Sequence, residues 1–547
     1  MNFTVQEQDV PQLNAFADDY VHQHDEALAF FHYAPFNQES YHRRYEELRG
    51  RTFPRRPLAH VIRAQLAHWE LSTAQQERLE HLQREESVVV IGGQQAGLLT
   101  GPLYTLYKAI TILKVAAEQE ARLGVPVIPV FWIAGEDHDF QEINHLFVPR
   151  TKGTGLEKLV LNEPEEQMKR SIAHRTFSCR EVGAWVEQVF EQMPQTEFTD
   201  KVRQLIMDTL EKAGSYTDFF AGLMHYLFSR YGLLFVNSAD PGLRRLESAV
   251  FETIITHYDV IDSDVRRQTA RMESKGYAPQ VTLGQYPALL FIYENGQRLL
   301  LEKKGGYFQT KDGQFTYSEA ELLQLAQEEP WRLSNNVITR PFMQESLFPT
   351  LSFVAGPGEV AYWALYGTYF ERLNLKLPVI MPRLNLTIIE PHIGNILEKH
   401  HIDIQTVFGS FDSFREQWLA EQDELQLEES FARVRQEVER LYQPLIEKVA
   451  RINKGMEQLG RKNLDKVLEQ VDYLHKRSSS AFRAQHEAAM RQFDKVEQAL
   501  YPEGQLQERV YHPFYFFNKH GLQLLEGLMR QSFVMNGKHK LVYLHVD

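Results

Sequence analysis

Residues 135–145 read Gly-Glu-Asp-His-Asp-Phe-Gln-Glu-Ile-Asn-His and gather Glu136, Asp137, Asp139 and Glu142 with His138 and His145. Carboxylates and imidazoles this close can give or take a proton, or they can hold a divalent cation. The cluster follows residues 127–134, Val-Ile-Pro-Val-Phe-Trp-Ile-Ala, an apolar run that reads as a strand buried on both faces. A solvated acidic loop is the plain alternative. The abrupt change from a wholly apolar strand to crowded ionisable groups favours a site, because such groups shift one another's pKa unless something occupies the space between them. Asp137, His138 and Asp139 are the candidates for catalysis, and Glu136 for binding.

A second candidate follows Val88-Val89-Val90-Ile91. The turn Gly92-Gly93-Gln94-Gln95-Ala96-Gly97-Leu98-Leu99-Thr100-Gly101-Pro102 leads into a helical pattern at Leu103. Strand, glycine turn and helix N-terminus together make a place where backbone N–H groups and the helix dipole can hold an anion. Gln94, Gln95, Gly97, Gly101 and Tyr104 are therefore candidate substrate contacts. The loop is neither GxGxxG nor a Walker A motif. A tight βα connection that needs glycine only for its backbone angles explains it equally well.

Two arginines stand at comparable positions. Arg340 precedes Pro341 in a weakly charged stretch, and Arg383 follows the strand 378–381. A guanidinium at such a place can clamp a carboxylate or phosphate bidentately. Gln344 lies in the same stretch as Arg340 and is a further candidate contact. Glu359, after Gly356-Pro357-Gly358, falls in the first turn of a helix, where capping accounts for it as well as binding does. Asn237 closes the strand 233–237 and is a candidate contact, while Asp240 is placed to cap the next helix.

These loops need a scaffold that presents strand ends together, and the alternation of buried strands with helices supplies one. The pattern predicts an α/β fold with a Rossmann-like parallel sheet over 1–389, a polar helical layer up to about residue 85, and a small antiparallel insertion at 277–315 with a hairpin at Asn295-Gly296. From 390 to 508 the apolar residues Val434, Val438, Leu441, Leu445, Val449, Ile452, Met456 and Leu459 recur at helical spacing, and the pattern resumes after Gly460. It predicts a long antiparallel helical hairpin, or coiled coil, joined near Gly460 and suited to a homodimer. The segment 509–547, with a strand at 540–545, is expected to dock back on the core.

Composition narrows the partners. With 547 residues the chain exceeds a single compact core, and its net charge of −14 argues against nucleic acid or an anionic membrane. The N-terminus has no signal-like segment and no run reaches membrane-spanning length, so a cytoplasmic location is expected. The single cysteine, Cys179, rules out an internal disulfide and stands far from both loops.

The motifs GGQQAGLLTGPLYTLYKA, GEDHDFQEIN, LSNNVITRPFMQE and GPGEVAYWALY, in this order and followed by a helical hairpin, resemble the cysteine ligase family of bacillithiol biosynthesis. The resemblance spans essentially the whole chain. It implies a core similar to class I aminoacyl-tRNA synthetases, a dimerising coiled coil, and addition of L-cysteine to the amine of glucosaminyl-malate. Asp137, His138 and Asp139 would then position or deprotonate the amine, and Arg340 and Arg383 would neutralise the malate carboxylates. ATP is suggested as a co-substrate, although the His-x-Gly-His signature of class I synthetases is replaced here by Gly101-Pro102-Leu103-Tyr104 and no lysine-rich loop stands beside Met381-Pro382-Arg383. No metal-ligating residues are assigned on this reading, and whether a metal takes part is left open. A metal-dependent hydrolase built on the acidic loop and a non-catalytic nucleotide-binding scaffold are the alternatives.

Overall fold

The computed structural model describes residues 2–150, 155–162, 167, 169–423 and 426–545. The chain divides into two units, Met1–Ile388 with Gln505–Asp547, and Ile389–Gly504.

A five-stranded parallel sheet forms the centre of the first unit. Its spatial order is Val379–Pro382, Thr350–Ala355, Val88–Gln94, Val127–Ile133, Leu234–Asn237. All neighbours run parallel. Val127–Ile133 is buried throughout, so β-branched and aromatic side chains fill both faces and the run lacks the alternation of a half-exposed strand. The chain moves outward from Val88–Gln94 through Val127–Ile133 to Leu234–Asn237. It then returns to the other side of Val88–Gln94 with Thr350–Ala355. Where the order reverses, a crevice opens at the carboxyl ends of the strands, the place where doubly wound sheets bind ligands. Helix Leu103–Leu123 leads from the first strand towards the second and ends at Gly124, whose φ of 69° lies in the left-handed region that glycine adopts without strain.

The inserted sheet is antiparallel, in the order Thr316–Tyr317, Tyr307–Thr310, Gln297–Lys304, Leu290–Glu294, Leu333–Asn335. Asn295 and Gly296 turn its main hairpin with φ of 51° and 75°, the two positive values that such a turn requires. This insertion reaches past the expected 277–315. Helix Glu319–Glu328 intervenes, and Leu333–Asn335 then pairs with 290–292 rather than joining the parallel core. Three residues are too few to reveal a strand period in the sequence.

The region before residue 85 is not helical throughout. Asn2–Gln8 is a strand that pairs antiparallel with His539–His545, with Asn2 opposite His545 and Gln8 opposite His539. Helices from Ala15–Val21 to Thr73–Leu82 follow it.

In the second unit, helices Leu427–Ala450 and Lys454–Gln485 form an antiparallel hairpin, followed by Glu487–Leu500. The reversal lies at 451–453, not near Gly460, and the Asn453 side chain caps the second helix by accepting from the Met456 amide at 3.0 Å. Gly460 sits within that helix, where a Cβ would stand 3.1 Å from Cγ1 of Ile446, so glycine serves close helix approach rather than a turn. Among the described residues no helix is long and apolar enough to cross a membrane.

Candidate active site

The crevice at the sheet's reversal is a cavity of about 660 Å³. Residues following three different strands meet there: Gln94 and Gln95, Glu136 to His138, and Gly356 to Glu359. Tyr104, Arg340 and Arg383 complete the expected set that lines it. Asp139 is exposed and does not line it. Gly97 and Gly101 border a smaller recess beside the cavity. Asn237 stabilises its own loop, accepting from the Ala239 amide at 3.1 Å, and Gln344 is buried in helix Thr339–Leu347; neither lines the cavity.

Several side chains that sequence reasoning passed over do so. Lys108 lies one helical turn after Tyr104, on the same face of Leu103–Leu123. Its ammonium donates to the Gly93 carbonyl at 2.6 Å, to Gln94 Oε1 at 3.2 Å and to Glu359 Oε2 at 2.5 Å. Burial pushes the Lys108 pKa down, and the Glu359 carboxylate opposes that shift. Glu359 is also the cap expected from its position, accepting from the Gly356 amide at 2.6 Å. From Glu359 the network continues to Arg340: the Tyr362 hydroxyl donates to Glu359 Oε1 at 3.3 Å and accepts from Arg340 at 2.6 Å. An arginine-to-carboxylate chain thus crosses the junction between the first and fourth strands of the sheet.

The acidic loop is held just as closely. Asp137 Oδ1 accepts from the His138 amide at 2.7 Å, and Oδ2 accepts from Gln95 Nε2 at 2.7 Å. The same Gln95 nitrogen donates to Glu142 at 2.6 Å, so one amide bridges two carboxylates. Burial works against charge on Asp137, but Gln95, the Arg298 guanidinium and the His138 amide together hold its pKa below the usual carboxylate value. Glu142 moves the other way, raised by burial and by Asp139 and Asp137 nearby. Two carboxyls of opposite tendency therefore share one glutamine.

Arg298 comes from the inserted sheet. It donates to Nδ1 of His138 at 3.0 Å, to Ser334 Oγ at 2.9 Å and to the Asn335 carbonyl at 2.6 Å. Because arginine is only a donor, Nδ1 of His138 must be the accepting nitrogen and the proton must sit on Nε2. Burial and the Arg298 charge both push the His138 pKa down, which keeps the ring neutral. Glu136 is buried and engaged by Arg244, by Ser334 Oγ at 2.7 Å and by the Asn335 amide at 3.1 Å. It fastens the insertion to the parallel sheet, so its place in the cavity wall is chiefly architectural.

The cationic groups divide into committed and uncommitted. Arg383 forms a buried two-pronged pair with Glu508, at 2.7 and 3.1 Å. That corrects its expected role as a free anchor: it ties the C-terminal segment to the sheet edge. Arg340 and Arg509 also line the cavity, and among the described residues no carboxylate lies within ion-pair distance of either. Asn335 lines it too, with both side-chain amide atoms buried and unpartnered in the described residues.

In the glycine loop, four of the amides expected to face an anion are already taken. The amides of Gly97, Leu98, Gly101 and Leu103 are all bonded internally, to the carbonyls of Gln95, Ile143, Leu98 and Tyr511. Those amides do not fit a phosphate held at the start of the helix. Gly97 has a steric task instead, since a Cβ there would lie 2.8 Å from the Gly101 Cα.

Fold and cavity define a doubly wound α/β protein with a mixed-charge small-molecule site at its switch point. Residues 3–384 match the model described as the Bacillithiol biosynthesis BshC N-terminal Rossmann-like domain, and residues 386–544 the BshC C-terminal coiled-coil domain. A protein named "Putative cysteine ligase BshC" from Geobacillus sp. (strain WCH70) is 39% identical over 96% of this chain and 97% of its own length. The protein of the same name from Geobacillus kaustophilus is 37% identical over 99% of this chain and 100% of its own. A solved structure titled as a putative arginyl tRNA synthetase from Campylobacter jejuni covers 81% of this chain and 92% of its own at 10% identity and a TM-score of 0.19, a likeness too slight to carry weight. The chain belongs to the BshC family of bacillithiol biosynthesis.

Proposed function

We propose that the protein is an amide-forming ligase that joins the carboxyl of L-cysteine to the amine of glucosaminyl-malate. The names of its relatives supply cysteine, and the resemblance of the four loop motifs supplies the acceptor. The observation that supports the pair best is the division of charge in the cavity. The malate group carries two carboxylates, and among the described residues three cavity guanidiniums have no carboxylate partner: Arg340, Arg509 and Arg298, the last already bonded to His138, Ser334 and Asn335. The amino sugar is cationic near neutral pH and suits the opposite wall, where Asp137 stays ionised. Asn335 offers an amide to a sugar hydroxyl.

Amide formation requires the amine to lose protons as its nitrogen bonds the activated carbonyl and the activating group leaves with the acyl C–O electrons. Asp137 holds the ammonium form, and Glu142, raised by burial, is the better proton acceptor. His138 carries its free proton on Nε2 and is suited to donate to the developing oxyanion rather than to act as base. The amides of Gly97, Leu98, Gly101 and Leu103 are already bonded within the chain and do not supply a phosphate cradle for ATP at that loop. The hydrolase alternative lacks support: among the described residues no group of three or more His, Cys, Asp or Glu is placed to hold a metal ion. Exposed Leu441, Leu445, Ile452, Leu459 and Leu474 on the helical unit support a homodimer through that unit.

The test is bacillithiol and glucosaminyl-malate content, by thiol labelling and mass spectrometry, in cells lacking the protein. Loss of bacillithiol with accumulation of glucosaminyl-malate, restored by wild type but not by Arg340→Ala, is expected. Normal bacillithiol in the deletion strain would overturn the assignment.

A further inference from the structure

Beside the main cavity lies a recess of about 50 Å³, room for a group of a few heavy atoms. The two share Gln94, Gln95, Tyr104, Glu142 and Arg509 as lining residues, so the recess opens on the site already described. The recess is also lined by His512, 1% exposed, whose two ring nitrogens both lack a partner among the described residues. Thr105, also 1% exposed, lines the same recess, and its hydroxyl is likewise unpartnered. Ile143, Leu146 and Phe147 form the apolar side. Buried imidazole nitrogens and hydroxyls are normally hydrogen-bonded, so a pair left over in one lined recess points to a ligand.

We propose that this recess receives the side chain of the aminoacyl substrate, with His512 and Thr105 reading its thiol. The inference rests on the ligase reading and names the part of the site that would recognise cysteine. Burial pushes the His512 pKa down to about 3, so the ring is neutral and presents one N–H donor and one acceptor nitrogen. Glu142 and Arg509 belong to both the recess and the main cavity, where they can meet the charged ends of a substrate; the neutral His512 ring and the apolar side offer no counter-charge to a desolvated carboxylate or ammonium. A thiol is small, polarisable and only weakly hydrogen-bonding, so it gives up little hydration on entry and matches one neutral polar contact set among apolar walls. A serine hydroxyl gives up more, and the methyl of 2-aminobutyrate leaves His512 unpaired. The recess thus orders the three as cysteine first.

The test has two arms, both with the full-length chain. In the first, a deletion strain receives wild type, and bacillithiol is measured. In the second, calorimetry gives the Kd of wild type, His512→Phe and Thr105→Val for L-cysteine, L-serine and L-2-aminobutyrate, with circular dichroism checking that each variant is folded. The expected result is restored bacillithiol, tightest binding of cysteine to wild type, and a cysteine Kd raised about tenfold in His512→Phe, the worth of one neutral hydrogen bond. The 2-aminobutyrate Kd should stay within about twofold across the same proteins. If bacillithiol is restored but wild type does not prefer cysteine, or both folded variants keep its Kd, the recess proposal fails and the ligase reading stands. If wild type does not restore bacillithiol, the ligase reading fails, and the recess proposal falls with it.

Discussion

Arg298 donates to Nδ1 of His138 across 3.0 Å, joining a residue of the inserted antiparallel sheet to one at the end of a parallel strand. The guanidinium also stacks on Phe291, 3.7 Å from the ring centroid, which holds it in place. The insertion is therefore part of the site, because it selects the tautomer of the acidic loop's histidine.

Replacing Arg298 with Leu should raise the His138 pKa, since a positive charge that disfavours imidazolium is removed. Histidine titration by NMR would show the midpoint moving up. An unchanged midpoint would mean that burial alone sets it. Bacillithiol formation should fall as well, as the proton on Nε2 ceases to be fixed.

Arg340 and Arg383 should part ways on substitution. Arg383→Ala leaves Glu508 buried and unpaired, so chemical unfolding should show a loss of about 3–5 kcal/mol. Arg340→Ala breaks no ion pair and should leave the unfolding midpoint nearly unchanged. Its cost should fall on acceptor binding, with KM for glucosaminyl-malate rising about 10–100-fold, the range for loss of a charged hydrogen bond. The reverse pattern would reassign both arginines.

Stability should decline as pH falls from about 7 towards 5. His512 and His539 are buried, and their pKa values are pushed down to about 3 and about 4. The unfolded chain takes up protons below about 6.5, while these folded histidines do not, so each contributes roughly 1.4 kcal/mol of destabilisation per pH unit in that window. Glu247, pushed up to about 7 by burial, and Glu142, raised too, act in the opposite sense, while His138, pushed down, acts with the two buried histidines. Urea unfolding at pH 7.5 and 5.5 should give the lower midpoint at 5.5; equal midpoints would contradict the burial of these rings.

The helical unit should associate through its exposed apolar face. Leu441 and Leu445 are 66% and 53% exposed and lie one turn apart on Leu427–Ala450. Leu441→Glu with Leu445→Glu should convert a dimer to a monomer in analytical ultracentrifugation without loss of helical content. A wild-type chain that sediments as a monomer would remove the dimer from the proposal.

The parallel core and the position of its ligand crevice were readable in the sequence, because a strand buried on both faces is an unbroken apolar run and its exit loop is abruptly polar. Asp137, His138, Gln94 and Gln95 were found by that contrast, and Arg340 as a lone charge before Pro341 in a weakly charged stretch. What each does was not readable. Arg383 looked free because Glu508, its partner, is 125 positions away. Arg298 gave no signal because His138 is 160 positions away, on another sheet. The glycine loop looked like an anion cradle until the carbonyl of Tyr511, from the far end of the chain, took the Leu103 amide. Local pattern determines which segments become strands and helices, since periodicity and turn chemistry act over a few residues. Which polar groups remain free to meet a substrate is decided only when distant segments pack, because a buried charge or amide takes whatever partner the tertiary structure brings within about 3 Å.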